Sequence, residues 1–301
     1  MKTPFYILLL CLSFEAYGQK DSTGLLPRRN LQTYTPSALL YSGQWEYKIF
    51  NNLYTQTTGF DADGVVENYG LRSTFFTSIH QFLYGFTPRV NVGVDLWFKS
   101  VRVDAETSSP VSVFDFKNDV SNRTALGYFG PKIKFLPFER LANVSFQSTF
   151  LVPLSPDLEA VGRFRNSRPY LSENAFISIN ELFLDEALTE QFRIFLRVSG
   201  WFYFDRMALQ NNTAIFRKYD TPVSGFLTYF ASPSLSFYVQ GEYWGKFSRV
   251  GYLGYFIQTG LGLKAQVVPN FLELEASYTR FVLGQNSGRG NTFNVGLRLI
   301  R

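Results

Sequence analysis

The sequence predicts an all-β chain: a transmembrane, antiparallel, up-and-down β-barrel of about twelve strands. Three observations predict it. Runs of roughly ten residues alternate apolar and polar side chains along most of the chain. The connections between those runs alternate between short and long. Aromatic residues make up 18% of the chain and charged residues also 18%, at a mean hydropathy of −0.06. A bundle of membrane helices would be far more apolar, and a soluble domain carries roughly 25% charged residues.

The chain begins with its own address. Lys2 supplies a positive start, Phe5 to Leu12 a short apolar stretch, and Ala16-Tyr17-Gly18 a small-residue cleavage pattern before Gln19. Residues 1–18 therefore read as a secretory signal peptide, too short for an anchor that would need about 20 apolar residues. Cys11, the one cysteine, leaves with it, so neither disulfides nor thiolate metal sites are expected. Residues 19–40 are polar, contain Pro27 and Pro36, and read as a lead-in to a barrel spanning 41–301.

The strand pattern is clearest over Arg89 to Val103. Val90, Val92, Val94, Leu96 and Phe98 share one face, against Arg89, Asn91, Gly93, Asp95, Trp97 and Lys99 on the other. Residues 191–204 repeat it, with Phe192, Ile194, Leu196, Val198, Phe202 and Phe204 opposing Arg193, Arg197, Ser199, Trp201 and Tyr203. The end of the chain sets Phe293, Val295, Leu297 and Leu299 against Asn294, Gly296 and Arg298. Further strands are expected near 43–57, 69–86, 121–136, 141–152, 172–184, 222–231, 234–246, 253–267 and 270–283. Short connections fall at Thr87-Pro88, Pro137 to Arg140, Glu186 to Glu190, Ser232-Pro233 and Pro269-Asn270; longer ones are expected near 58–68, 104–120, 153–171, 205–221, 247–252 and 284–291. A soluble sandwich shares the alternation but has less reason for that rhythm. In lipid every backbone donor and acceptor must be paired, so the sheet must close on itself. Trp45, Tyr69, Tyr84, Tyr243 and Tyr278 are candidates for interfacial girdles.

The same alternation assigns an inner face. Its pore-lining candidates are Lys48, Arg72, Asp95, Lys99, Lys132, Lys134, Arg193, Arg197, Glu242, Lys264, Glu273 and Glu275, with Glu46, Arg89, Lys246 and Arg298 beside them. Positive groups outnumber negative ones there. A lining of one sign concentrates solutes of the other, so the lumen would favour anionic or polar solutes. The competing expectation is that these charges pair with one another and fill a narrow barrel. Phe50, Phe76, Phe195, Trp201, Tyr203, Tyr238 and Trp244, placed on the same face, would either fill space or line a path for an aromatic solute.

Other chemistries have little support. The net charge of +5 is spread along the chain without a basic block, so nucleic-acid binding is not expected. With His80 the lone histidine and no cysteine after residue 11, no metal centre or cofactor site is expected. Asp61-Ala62-Asp63-Gly64 imitates the start of a calcium loop but lacks the later ligands, and Asp and Gly are ordinary turn formers. Ser78 and His80 lie two apart on one strand face, a pairing that can make a nucleophile and its base, but Phe76, Phe82 and Tyr84 share the face and packing is a sufficient explanation. The chain is not expected to be an enzyme.

The signal ending Ala16-Tyr17-Gly18, the alternating strands and the terminal Asn294-Val295-Gly296-Leu297-Arg298-Leu299-Ile300-Arg301 together resemble small outer-membrane β-barrels of Gram-negative bacteria. The last strand is similar to those read by the barrel-assembly machinery, although it ends in Arg301 rather than an aromatic residue. The resemblance implies an outer-membrane location, with lipid and lipopolysaccharide outside, short periplasmic turns, a periplasmic lead-in, both termini periplasmic, and porin-like transport. Asn91-Val92-Gly93-Val94-Asp95 and Gly130-Pro131-Lys132-Ile133-Lys134 also resemble barrel transporters associated with uptake of aromatic compounds. The function expected is thus a narrow pore or passive transporter for small polar, anionic or aromatic solutes, with Lys99, Arg193 and Arg197 biasing passage. The alternatives are a structural or adhesion barrel that binds a partner through loops near 104–120 and 153–171, and a lipid-modifying hydrolase at Ser78 and His80.

Overall fold

A computed structural model describes residues 37–156, 158–159, 169–206 and 215–301. The expected signal peptide and the lead-in up to residue 36 lie outside the described residues. Twelve strands form one closed sheet: β1 (Trp45–Phe60), β2 (Val66–Thr87), β3 (Val90–Ala105), β4 (Asn122–Phe135), β5 (Val144–Pro153), β6 (Ala175–Ala187), β7 (Phe192–Asp205), β8 (Phe216–Ser232), β9 (Leu235–Ser248), β10 (Gly251–Val268), β11 (Leu272–Gln285) and β12 (Ser287–Ile300). Each pairs antiparallel with its sequence neighbours, and β1 closes on β12 through pairs such as Lys48↔Arg298 and Asn52↔Asn294. Closure leaves no unpaired edge, which is what a sheet surrounded by hydrocarbon requires.

Which face points inward follows from contacts that skip strands. The rings of Trp97 on β3 and Trp201 on β7 lie 6.0 Å apart, a contact that only the interior can hold. Carried around the sheet by the register, this puts the odd residues of β3 and β2, the even residues of β1 and β12, the odd residues of β11 and the even residues of β10, β9 and β8 inside. Outside stand Val94, Ile133, Phe150, Leu182, Val198, Val239, Leu261 and Val295, all largely exposed. Inside, Asp95, Lys132, Lys134, Glu273 and Arg298 are buried. Apolar groups outward and ionised groups inward invert the order of a soluble protein and fit a barrel whose exterior solvent is lipid.

One rim, which we call the terminal rim, carries residues 37–44 and Arg301 together with the turns at 88–89, 136–143, 188–191, 233–234 and 269–271. The opposite rim carries the described residues of the other connections: 61–65, 106–121, 154–156, 158–159, 169–174, 206, 215, 249–250 and Asn286. Three connections expected to be long, near 58–68, 247–252 and 284–291, are tight hairpins instead. Their strands keep pairing to the tip: Phe60↔Val66 closes β1–β2, and Gly251↔Ser248 closes β9–β10. In the first, the Asp61 carboxylate accepts from the amides of Asp63 at 2.9 Å and Val65 at 2.8 Å, the Asx-turn expected of that motif rather than a cation loop. In the third, Asn286 takes a left-handed φ of 46°, a conformation that asparagine tolerates better than most residues.

Among the described residues, two segments other than strands enter the interior. Leu40, from the end of the lead-in, is buried against Leu83 and Ile300 at the terminal rim. Lys134 Nζ donates to the Ala38 carbonyl at 2.6 Å, and the Tyr41 carbonyl lies so close to Gly85 that a side chain there would collide with it. At the other rim, Leu158 and Leu171 of the β5–β6 connection join Trp97, Val101, Tyr128, Leu151, Ile177, Ile179 and Tyr203 in the main apolar cluster.

Candidate functional site

Leu158, Glu159 and residues 169–174 of the β5–β6 connection stand in the mouth of the barrel and are tied there by charge and hydrogen bonds. Arg123 of β4 donates to the carbonyls of Leu158 at 3.2 Å and Pro169 at 3.0 Å. Lys99 donates to Ser172 Oγ at 2.9 Å, and the Tyr128 hydroxyl bonds the Glu173 carbonyl. Arg217 pairs with Glu159 at 2.6 Å, and Lys218 pairs with Glu173. Burial pushes the Glu173 carboxyl up, but the Lys218 ammonium together with hydrogen bonds to Glu159 and Tyr170 outweighs this and leaves it below the usual carboxylate value. The connection's described residues pack against the side of the interior bounded by β3 to β7. The rest of the interior is bounded by β7 to β12, β1 and β2.

That space is ringed by aromatic side chains. Phe75 meets Tyr54 at 6.1 Å between centroids, Tyr54 meets Phe281 at 4.9 Å, and Phe281 meets Phe256 at 4.2 Å. The series continues through Phe256–Trp244 at 5.8 Å and Trp244–Trp201 at 5.1 Å to the Trp201–Trp97 contact. Phe75 packs against the cluster that holds Trp97, so the circuit closes. Such separations are those of stacked and edge-on ring pairs, which stiffen one another. We call this circuit of rings the waist. Three of the chain's four tryptophans stand in it, and Trp45 stacks on Phe82 outside.

Below the waist, toward the terminal rim, the charges are paired. Lys132 holds Asp95 at 2.7 Å, with Gln81 donating to the same carboxylate at 3.2 Å. Arg197 donates to Glu242 at 2.8 Å and Ser224 Oγ at 2.9 Å, and Gln258 donates to Glu242 at 2.7 Å. Arg298 bridges Glu46 at 2.7 Å and Glu273 at 3.4 Å. Arg193 holds Asp185 at 3.2 Å, and Lys264 lies 3.8 Å from Glu275, which accepts from Tyr238 at 2.6 Å. Lys48, Lys99 and Lys246 have no carboxylate within ion-pair reach among the described residues. Each lies over a ring instead: Lys48 over Phe50 at 5.9 Å, Lys99 over Trp97 at 5.6 Å, and Lys246 over Phe256 at 5.5 Å.

Of the residues singled out from sequence, Lys48, Asp95, Lys99, Lys132, Lys134, Arg193, Arg197, Glu242, Lys264, Glu273 and Glu275 stand on the inner face. Arg72 does not. It shares the outer face with Thr74, donates to Thr55 Oγ1 at 3.0 Å and to the Glu106 carbonyl, and sits near the loop rim, where an exterior charge reaches water. Phe76 is likewise outside, packed 4.9 Å from Phe114 of the β3–β4 connection. Sequence reasoning did not find Glu159, Glu173, Arg123 and Lys218, because nothing local says that a connection turns inward. That connection also carries Arg163, Arg165 and Arg168 in the sequence, which lie outside the described residues.

Ser78 and His80 also face outward. Ser78 Oγ lies 3.2 Å from His80 Nε2, and the Tyr47 hydroxyl 2.8 Å from His80 Nδ1. The three satisfy one another on a face turned toward lipid. Both flanks of β2 are paired here, Ser78 with Asn51 and with Phe98, so the ladder leaves no local amide to stabilise an oxyanion. Among the described residues, no group of His, Cys, Asp and Glu is placed to hold a metal ion, and no helix is long and apolar enough to cross a membrane.

A closed barrel with an apolar exterior and a polar interior is the architecture of an outer-membrane β-barrel protein. No family model matches the sequence. No curated protein matches it either. The fold is similar to that of an outer membrane channel from Pseudomonas putida F1, at TM-score 0.61 and 12% identity, covering 89% of this chain and 99% of that one. It is also similar to the β domain of the Bordetella autotransporter BrkA, at TM-score 0.53 and 12% identity, covering 86% of this chain and 99% of that one.

Proposed function

We propose that the chain is a narrow outer-membrane channel for passive passage of small polar, anionic or aromatic solutes. The observation that carries the reading is the waist. Its wall is aromatic, it is bordered by lysines without carboxylate partners, and the barrel around it is closed. The paired charges below the waist give a nearly neutral lining, so selectivity concentrates at Lys99 and Lys246 rather than at Arg193 and Arg197. In this reading the terminal rim faces the periplasm, the barrel-assembly machinery inserts the chain, and lipid and lipopolysaccharide contact the exterior. Purified chain in planar bilayers under a tenfold KCl gradient is expected to show small currents with an anion-biased reversal potential. Absence of current, or a cation bias, contradicts the reading.

A second reading, a barrel that binds a partner through its loops, is favoured by residues 106–121, where Val111, Phe114 and Phe116 are exposed beside the outer wall. Deleting them tests the adhesion reading separately from conduction.

A further inference from the structure

The waist joins two features that serve different parts of one molecule. Flat ring surfaces on Trp201, Trp244 and Phe256 stand in series, and Phe256 stacks on Phe281 at an interplanar angle of 14°. At the edge of that series Lys246 reaches over Phe256. Its cross-strand neighbour Asp220 spends one oxygen on the Tyr203 hydroxyl at 3.0 Å and makes no ion pair with Lys246. Across the Trp97–Trp201 contact, Lys99 lies over Trp97 and Tyr128 and is bonded only to the neutral Ser172 hydroxyl.

An ammonium group held among rings is costly unless an anion meets it. The other basic groups of the mouth have been given partners: Lys218 has Glu173, Arg217 has Glu159, and Arg123 has two carbonyls. A cation set against stacking planes matches a ligand that is itself a plane with a negative edge. A neutral aromatic ring would use the planes and leave the Lys246 ammonium without a direct ion pair among the described residues. A small inorganic anion would use the ammonium group and leave the planes unused.

We propose that the waist binds planar aromatic carboxylates, the ring stacking along Trp201, Trp244 and Phe256 while the carboxylate meets Lys246. This deepens the channel reading and rests on it for the route by which the solute arrives. The two can fail separately, because binding is read by fluorescence and passage by current.

The full chain in detergent micelles is titrated with benzoate, benzyl alcohol and acetate while tryptophan emission is followed. Trp45 supplies a constant background, and the three waist tryptophans supply the signal. Benzoate is expected to give a saturable change with a midpoint at least tenfold below those of benzyl alcohol and acetate. Lys246→Met is expected to raise the benzoate midpoint at least tenfold and leave benzyl alcohol unchanged, whereas Trp244→Leu weakens both. Heat-modifiable gel mobility confirms that each variant is folded, and the wild-type ligand comparison decides the matter even where a variant does not fold. Equal midpoints for benzoate and benzyl alcohol, or unaltered benzoate binding by folded Lys246→Met, overturn the proposal. Saturable benzoate binding by a barrel that passes no current upholds the site and removes the channel.

Discussion

Trp97 and Trp201 touch across the interior, 6.0 Å between centroids, from strands that are separated in the sheet by three others. The contact divides the lumen. On one side the inserted connection and the walls of β4 to β6 are packed as a core. On the other, rings from β1, β2, β7 and β9 to β11 enclose the remaining space.

Removing one member of that contact enlarges the enclosed space. Trp201→Ala deletes a side chain that touches both Trp97 and Trp244. Single-channel conductance is expected to rise several-fold. Truncating a large aromatic costs roughly 3–5 kcal/mol where it is fully buried, and less here because Trp201 is only half-buried. An unchanged conductance in a folded variant contradicts the placement of the constriction.

Acid should release the inserted connection. The Glu173 carboxyl is held below its ordinary value of 4.5 when the loop is docked, so its ionised form stabilises the docked state. That contribution is complete above the undocked value and is lost as pH falls through the lower, docked one. Between pH 7 and 5 the current is therefore expected to be steady, with larger or noisier openings appearing only below about pH 4. Glu173→Gln should show those openings at neutral pH. A transition centred near pH 6 contradicts the assignment.

Charge is tolerated on one face only. Leu261 is 63% exposed on the outer wall. Leu261→Arg at mid-strand is expected to cost about 2–4 kcal/mol in vesicle-based unfolding, as for other basic substitutions near a bilayer midplane. The adjacent inward substitution Gly260→Ser should be resisted for a different reason, since the Tyr278 carbonyl lies against that position. Equal tolerance of arginine and leucine at 261 in lipid contradicts the orientation of β10.

The buried Lys132–Asp95 pair supplies a further test. Both side chains are nearly inaccessible. Lys132→Met strands an ionised carboxylate and is expected to cost about 3–5 kcal/mol, whereas Lys132→Met with Asp95→Leu recovers most of it. Denaturant titrations of the two variants in the same lipid make the comparison.

Much of this was legible from alternation alone. Val92, Val94, Leu96 and Phe98 faced out and Asp95, Trp97 and Lys99 in, because a strand's side chains have a period of two and the sequence keeps that period strictly there. Arg72 was misplaced because charge was read as meaning interior. Its parity with Thr74 and Phe76 says otherwise, and near a strand end an exterior guanidinium can reach water. The hairpins at 61–65 and Asn286 were expected to be longer loops, since Gly, Asp and Asn mark a turn without saying how far pairing extends on either side. The waist was hidden for a deeper reason. Parity says that Trp97, Trp201 and Trp244 point inward, but their depth and their meeting across the lumen depend on the stagger between strands and on a connection that folds inward.

The central claim is that one set of alternating side chains meets lipid while its sequence neighbours meet an enclosed aqueous path. Spin labels report this directly. With the lone native cysteine, Cys11, replaced by serine, a label is placed at Val94→Cys in one sample and at Gln258→Cys in another, each in lipid vesicles. The account predicts that the label at 94 collides mainly with oxygen dissolved in the bilayer and the label at 258 mainly with a water-soluble nickel chelate. Matching accessibility at the two sites, or the reverse order, contradicts it.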